Sequence, residues 1–375
     1  MTHEPERQRA IAWLTTSPIR VDHPGAPGHG AILHGIDQRR GPMGLYTEIT
    51  GYAVSLFASL MPGARGGALR TLELAATDAA DYLVGIQDKD GAYPHLPDPG
   101  ARGVAGAGPW SAYSFDVAAC IVGLARLHNT VSDRGYLDSA GRAGRWLMGL
   151  QRDDGSYVAL QRQDGQRPDP GGFFGTGSCI HAKNAIALLE LHAATGEPAL
   201  LRAAEAVCER TLALQAEDGA FWCSPSARYV FSHAHAYACE GLLYAGTVLD
   251  AGRFTDSARR GIDWLSRRQG GDGAWLSHHK VPLASRRGLA GALLRPRPTD
   301  AAAQAARLFS LAGPEHDASR RAALAFVLSC QDPGGGFHYR RTLLGDSPFL
   351  NTWSAQFAVQ ALTWDAAPAR AGDLF

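Results

Sequence analysis

Apolar positions along the chain recur at helical spacing. Apolar and aromatic anchors three and four residues apart lie at 82–86 and 146–150, and a similar pair lies at 264–265; each is followed by a polar turn. Runs that alternate apolar and polar residues with the period of a strand are scarce. The pattern predicts an all-helical protein.

A turn motif, Gln-x-x-Asp-Gly-x-aromatic, ends several of these helices. Its copies begin at Gln87, Gln151, Gln215 and Gln269, and a degenerate fifth copy begins at Gln331. The copies are 54 to 64 residues apart, which leaves room for two helices and two connections in each repeat. Asp-Gly is a turn dipeptide in which Gly supplies a positive φ, and the aromatic side chain after it can fold back onto the helices.

A second, alanine-rich helix is predicted after each motif. Counting one of the same kind before the first motif, near Tyr46, six such helices are predicted; the other five begin near Tyr113, Cys179, His233, Thr299 and Asn351. An earlier helix from Glu6 to Leu14 is expected to pair with the first of them. We therefore predict an α/α toroid (six-hairpin barrel) of about twelve helices in inner and outer rings, as one domain over residues 1–375 with a flexible tail from about residue 366.

The motif is similar to the repeat of terpene cyclases and prenyltransferase-type toroids. Two further stretches, 46–52 and 233–243, resemble toroids of carbohydrate enzymes, namely uronyl 5-epimerases and unsaturated glucuronyl hydrolases. Both resemblances imply a helical ring around a central cavity. The second implies activity on a carbohydrate, and fold alone does not choose between the two.

Composition and charge narrow the class of protein. Lys and Arg (36) balance Asp and Glu (36), so nothing indicates a nucleic-acid partner. The first residues lack the basic and apolar segments of a secretory signal, and no stretch is apolar enough to span a membrane. Six scattered cysteines without CxxC spacing suit reduced thiols. We expect a cytoplasmic protein.

The predicted site lies where the inner helices begin. Connections of about twenty residues precede three of these helices, and long loops on one face of a rigid ring commonly form a binding site. Several of the loops are basic, which favours an anionic ligand, although a solvated surface would carry the same residues. The loop cations are Arg228, Lys280, Arg286, Arg287, Arg295, Arg297, Arg340 and Arg341.

Two inner helices carry polar stripes at i, i+4 and i+7: His233, Tyr237 and Glu240 on one, and Asp300, Gln304 and Arg307 on the other. Alternatives are helix capping for Asp116 and Asp300, and internal packing for Glu48 and His181. The predicted catalytic residues are His233, Tyr237, Glu240, Glu48, Asp116 and His181. The predicted substrate-binding residues are Tyr46, Tyr52, Lys183, Arg228, His235, Asp300, Gln304, Arg307, Trp353 and Gln356.

No cofactor or metal is predicted. Cys179 and His181, like His233 and His235, are two residues apart, so on one helix their side chains would point about 200° away from each other. Terpene cyclisation is disfavoured because the sequence lacks Asp-x-Asp-Asp and Asp-Asp-x-x-Asp, and because the expected lining is polar rather than aromatic.

These features predict an enzyme that acts on an acidic, uronate-containing oligo- or polysaccharide. For an epimerase or lyase, Tyr237 or His233 would be the base, and the side chains that grip the uronate carboxylate would be Arg307, Lys183 and Gln304. For a hydrolase, two of Glu48, Asp116, Glu240 and Asp300 would act as a pair. The alternatives are a non-catalytic toroid that binds a glycan or protein, and a terpenoid cyclase-like protein.

Overall fold

Two concentric rings of α-helices make up most of the structure. It is a computed structural model, in which residues 3–95, 110–280 and 296–375 are described. The inner ring contains α2 (Thr47–Leu60), α4 (Ser114–Val131), α6 (Asn184–Thr195), α8 (Ser232–Val248), α10 (Thr299–Ala312) and α12 (Thr352–Ala366). The outer ring contains α1 (Glu4–Thr16), α3 (Gly66–Ile86), α5 (Arg134–Met148), α7 (Pro198–Leu212), α9 (Gly252–Arg268) and α11 (Asp317–Ser329).

This arrangement confirms the predicted α/α toroid. Successive inner helices pack against each other in chain order, and α12 packs against α2 to close the ring. The inner helices are buried on nearly all sides, whereas outer helices such as α5 and α9 bury a single face. Glycines allow the inner helices to approach closely: a Cβ on Gly51 would lie 2.8 Å from the carbonyl oxygen of Ala119.

The first helix pairs differently from the prediction. The inner helix of each hairpin precedes its outer partner, as in α2 with α3 and α4 with α5, whereas α1 packs mainly against α12. The predicted pairing of α1 with α2 was therefore wrong. The reason is the connection: residues 17–46 separate α1 from α2, whereas two residues separate α4 from α5.

The repeated glutamine joins neighbouring outer helices. Gln215 Nε2 donates to the carbonyl oxygens of Gly219 in its own turn (3.1 Å) and Ser257 on α9 (2.8 Å). The other copies make the same pair of bonds, and Gln331 reaches Glu6 O on α1 at 2.9 Å. The degenerate fifth copy therefore fastens the end of the ring to its beginning.

The turn itself depends on its glycine. Gly219 has a φ of +95°, and a Cβ there would lie 2.3 Å from the carbonyl oxygen of Arg260 on the adjacent helix. The aromatic residues that follow in each copy are buried between the helices: Tyr93, Tyr157, Phe221, Trp275 and Phe337.

Short strands organise the loops at the end of the toroid where the inner helices begin. The strands are β1 (Gly35–Asp37), β2 (Gly41–Pro42), β3 (Ser111–Tyr113), β4 (Leu160–Arg162), β5 (Val230–Phe231), β6 (His278–His279), β7 (Arg297–Pro298), β8 (Arg340–Thr342), β9 (Gly345–Asp346) and β10 (Phe349–Asn351). Antiparallel pairing joins β10, β1 and β2 in one sheet, β3 with β4, β5 with β6, and β7, β8 and β9 in another. The sheets tie successive loops together around the cavity mouth.

The residues after α12 form a plug at the opposite end of the toroid. Leu374 and Phe375 are buried, and the Phe375 ring lies 5.7 Å from the ring of Tyr52. The Arg126 guanidinium donates to the carbonyl oxygens of residues 372, 373 and 374. These residues fall within the tail, from about residue 366, that the sequence predicts to be flexible, and a distant arginine hydrogen-bonds the backbone of 372–374. We call residues 371–375 the C-terminal plug.

Candidate functional site

A cavity opens at the end of the toroid where the inner helices begin. Its empty volume, open mouth included, is about 530 Å³. Six of the predicted site residues line it: Tyr46, Glu48, His233, Tyr237, Asp300 and Trp353. The remaining lining residues are Phe115, Phe173, Phe174, Ile180, Phe231 and Tyr339.

Glu48 is a buried carboxyl group in the first turn of α2. Its Oε1 accepts a hydrogen bond of 3.1 Å from the indole of Trp353. Burial, and then the neighbouring Asp116, raise the pKa of Glu48 well above its ordinary value. Burial thus favours the protonated form of Glu48, which is the form that a general acid requires.

His233 and Asp300 face each other from neighbouring inner helices. His233 Nδ1 lies 3.4 Å from Asp300 Oδ2, while Asp300 Oδ1 accepts a hydrogen bond from the backbone of Ala301. Burial, and then the positive charge of Lys183, lower the pKa of His233 to about 3; burial raises the pKa of Asp300 to about 7. At neutral pH the imidazole is neutral, and Asp300 exchanges its proton in the range useful for general base catalysis.

A second histidine–carboxyl pair lies beside the cavity, and its histidine was not predicted. His95 Nδ1 is 2.5 Å from Asp116 Oδ2. His95 follows the repeat motif in a loop, so no helical stripe marks it. Its only sequence signal is that it comes two residues after the motif aromatic Tyr93, at the point where the chain turns towards the cavity.

Glu240 belongs to a buried charge cluster beneath the cavity. Its Oε2 accepts from Lys183 Nζ at 2.8 Å, and its Oε1 accepts from the Arg307 guanidinium. Gln304 Nε2 lies 3.4 Å from the same Oε1. The structure therefore does not bring these predicted residues to the cavity wall, because the side chains expected to grip a substrate carboxylate hold Glu240 instead. We call Lys183, Glu240 and Arg307 the buried charge cluster.

Tyrosine rings separate the buried charge cluster from the cavity. Lys183 Nζ lies 4.4 Å from the ring centroid of Tyr237 and 4.7 Å from that of Tyr52. Burial lowers the pKa of Lys183 to about 8, although Glu240 opposes the shift. Tyr237 lines the cavity, so its ring forms part of the floor above the charges.

The other predicted residues lie away from the cavity wall. His235 Nδ1 accepts from the backbone of Phe221 and its Nε2 donates to Gly261 O, so it joins α8 to α9. Gln356 donates to Ile49 O. His181 is buried next to Tyr157, and burial lowers the pKa of this histidine to about 4. Tyr52 is buried below the floor, and Arg228 is exposed on the loop before β5.

The basic loops are largely neutralised where they are described. Lys280 and Arg297 form ion pairs with Asp218 and Asp272, which are the motif aspartates, at 2.7 and 2.9 Å. Arg341 pairs with Asp346. Arg286, Arg287 and Arg295 lie outside the described residues. Of the residues that the structure describes, no lysine or arginine lines the cavity.

The lining is more aromatic than predicted. Eight of the twelve lining residues are Phe, Tyr or Trp. The prediction that His, Glu, Asp, Lys, Arg and Gln side chains line the cavity was wrong in this respect. The polar side chains beneath the cavity floor hydrogen-bond to one another instead of reaching the wall. Aromatic residues at the helix starts and in the preceding loops occupy the wall.

Two further properties concern metals and membranes. Within residues 3–95, 110–280 and 296–375, no group of three or more His, Cys, Asp and Glu side chains is arranged to hold a metal ion. None of the helices in these ranges combines the length and apolar character needed to cross a bilayer.

Solved structures share the whole fold at low sequence identity. A sugar epimerase from a ruminal bacterium has a TM-score of 0.76 at 12% identity, over 96% of this chain and 98% of the epimerase. Cellobiose 2-epimerase from Spirochaeta thermophila has a TM-score of 0.69 at 17% identity, over 96% and 97% of the two chains. An unsaturated glucuronyl hydrolase specific for heparin has a TM-score of 0.69 at 13% identity, over 97% and 96%. No protein-family model and no curated sequence matches the chain.

Proposed function

We propose that this protein is a carbohydrate-active enzyme that carries out acid–base chemistry on a sugar residue held in the cavity. The observation that carries the proposal is the position of Glu48 relative to the pair His233 and Asp300. Glu48 lies on α2 and His233 on α8, three places apart in a ring of six inner helices, so the two groups stand on opposite sides of the cavity. A protonated acid and a base across one sugar ring are what proton transfer to and from that ring requires.

The structural neighbours support the same class. Their names describe a sugar epimerase, a cellobiose 2-epimerase, a D-mannose isomerase and unsaturated glucuronyl hydrolases. All act on sugars, and each covers nearly the whole toroid. We extend to this chain only the shared class, chemistry on a carbohydrate.

Two reaction types fit the arrangement. In an epimerase or lyase, the pair His233 and Asp300 accepts the proton from the sugar carbon beside a carbonyl or carboxylate. Glu48 then donates a hydrogen bond or a proton from the opposite side of the sugar ring. In a hydrolase, Glu48 protonates the glycosidic oxygen, and Asp116 or Asp300 assists water. In both cases Glu48 is the acid.

The substrate class that we propose is an acidic, uronate-containing oligosaccharide. The cations predicted to bind its carboxylate are engaged by Glu240, but a cavity acid can take their place. Glu48, in the protonated form that burial favours, can donate a hydrogen bond to a sugar carboxylate without the repulsion of an ionised group. A neutral sugar is the alternative, because no described lysine or arginine lines the cavity.

The test is incubation of the protein with uronate and neutral oligosaccharides in deuterated water, followed by NMR and mass spectrometry. Carbon-bound deuterium, an unsaturated uronate or a new reducing end identifies an epimerase, lyase or hydrolase, respectively. Glu48→Gln and His233→Ala should abolish the product, whereas Glu217→Gln, on the exposed surface, should not. If the folded wild-type protein converts no sugar of either set, the proposal is rejected.

A terpenoid ligand is the second candidate, because eight aromatic residues line the cavity and such rings stabilise carbocations. The resemblance of the repeat to terpene cyclases stays a prediction. Including a polyprenyl diphosphate and a neutral polyprene in the same assay separates the two candidates.

A further inference from the structure

A continuous row of aromatic rings surrounds much of the cavity mouth. Each ring centroid lies 3.9 to 6.1 Å from that of its neighbour in the row. In order around the mouth, the row runs through Phe231, Phe173, Phe174, Tyr113, His95, Tyr46 and Trp353. We call this row the aromatic rim.

Phe174 differs from the rest of the aromatic rim. It lines the cavity and yet is 39% exposed, whereas the other members are half-buried. Its ring centroid lies 3.9 Å from that of Phe173, and the ring centroid of Phe173 lies 4.4 Å from that of Phe231. Phe174 therefore presents an open aromatic face to the mouth, with two rings supporting it from behind.

The turn that carries Phe174 is held in a fixed shape. Asp169 Oδ1 accepts hydrogen bonds from the backbone of Gly171 (2.9 Å) and Thr176 (3.0 Å), which closes the turn. Ser178 Oγ donates to Phe173 O at 2.6 Å. Gly171 and Gly172 adopt φ of +70° and +64°, which other residues rarely adopt. An exposed aromatic ring on an ordered turn loses little conformational entropy when a ligand binds.

The cavity below the aromatic rim has a floor. Tyr237 closes it, with the buried charge cluster underneath and the C-terminal plug at the far end of the toroid. Within the part of the chain that the structure describes, the floor leaves the mouth as the route by which a saccharide enters, and any sugar residue beyond the first then lies at the aromatic rim.

We propose that Phe174, supported by Phe173 and Phe231, is the binding platform for a second sugar residue, so that the substrate is a disaccharide or longer chain that enters by its end. Pyranose rings have apolar C–H faces that pack on aromatic rings, and such packing adds to affinity. This inference rests on the proposed function, because it places the reacting sugar residue in the cavity.

The experiment compares Phe174→Ala, Phe174→Trp and Leu344→Ala on a monosaccharide and on its di- and trisaccharide. Leu344 is the matched control: it is 85% exposed, lies between β8 and β9 at the same end of the toroid, and does not line the cavity. Circular dichroism and thermal melting establish that each variant is folded.

For Phe174→Ala, kcat/KM for the disaccharide should fall by about tenfold more than kcat/KM for the monosaccharide, mainly through KM. Phe174→Trp should retain the preference for the longer sugar, and Leu344→Ala should behave as wild type. Equal losses on both sugars, or no loss on either, would overturn the role of Phe174.

Calorimetry separates this inference from the proposed function. If the wild-type protein turns over no sugar, the proposed function fails, and binding of the same sugars decides the role of Phe174. Tighter binding of the disaccharide than of the monosaccharide, with the difference lost in Phe174→Ala, supports the platform. Equal or absent binding of both sugars overturns it.

Discussion

Glu240 Oε2 lies 2.8 Å from Lys183 Nζ, and both groups are buried beneath the floor of the cavity. The Arg307 guanidinium binds the other carboxylate oxygen, and Gln360 Oε1 accepts from Arg307 at 2.7 Å. One carboxylate thus compensates two cations that the interior of the toroid would otherwise leave unpaired.

Replacing Glu240 should therefore unfold the protein more readily. Glu240→Gln leaves two buried cations without a counter-charge, and breaking a buried pair in this way costs about 3 to 5 kcal/mol of unfolding free energy. Urea denaturation measures the loss, and the exposed Glu217→Gln should change stability by less than about 0.5 kcal/mol. A stable but inactive Glu240→Gln protein would instead favour the catalytic role predicted from the sequence.

The pKa of Asp300, raised to about 7 by burial, predicts the pH dependence of activity. A base must be deprotonated, so the rate should rise as pH passes through about 7. Asp300→Asn should lower the rate and abolish this rise near pH 7 in the pH–rate profile. If the variant keeps the same rise, the base is another group.

Stability should show the opposite dependence on pH. Because the pKa of Asp300 is higher in the folded state than in the unfolded chain, the folded state binds more protons between about pH 4 and 7. The contribution of Asp300 to stability is thus present at low pH and lost as pH rises through about 7. Asp300→Asn, which never ionises, should gain stability relative to wild type between pH 5 and pH 8 in urea denaturation. A constant difference between the two proteins would contradict the raised pKa.

The hydrogen bonds of the repeated motif glutamine predict different effects for two matched variants. Gln215→Ala removes bonds within the ring, to Gly219 and Ser257, and should lower global stability by about 1 to 3 kcal/mol. Gln331→Ala removes the bond to Glu6 and should mainly release α1. Hydrogen exchange should then speed up over residues 4–16 in Gln331→Ala and more broadly in Gln215→Ala. The same exchange pattern in both variants would show that α1 is held by packing alone.

The C-terminal plug should contribute to stability through its buried aromatic ring. Phe375 packs against Tyr52, Phe357 and the Arg307 guanidinium, so Phe375→Ala should cost about 3 to 5 kcal/mol. Thermal and urea denaturation measure the effect. Arg126→Ala, which releases the backbone of residues 372–374, should destabilise the protein in the same direction. Wild-type stability in both variants would mean that the plug does not support the toroid.

Much of the fold follows from local pattern. The spacing of the repeat gives the number of hairpins, and the Gln and Asp-Gly positions give the ends of the outer helices, because each depends on residues close in the chain. The start of each inner helix follows from small and polar residues after a long loop. Helical geometry also places His233 and Tyr237 on one stripe, and both line the cavity.

Only the tertiary structure decided which end of that stripe reaches the cavity and what each polar side chain contacts. Glu240 continues the stripe of His233 and Tyr237 but binds Lys183, from the 3-10 helix that precedes α6, and Arg307, from α10. His95 meets Asp116 from a loop, and Arg126 orders residues 372–374 from across the ring. Helical periodicity fixes the direction of a side chain around its own helix, whereas contacts between distant segments depend on how the ring closes, which no local pattern specifies.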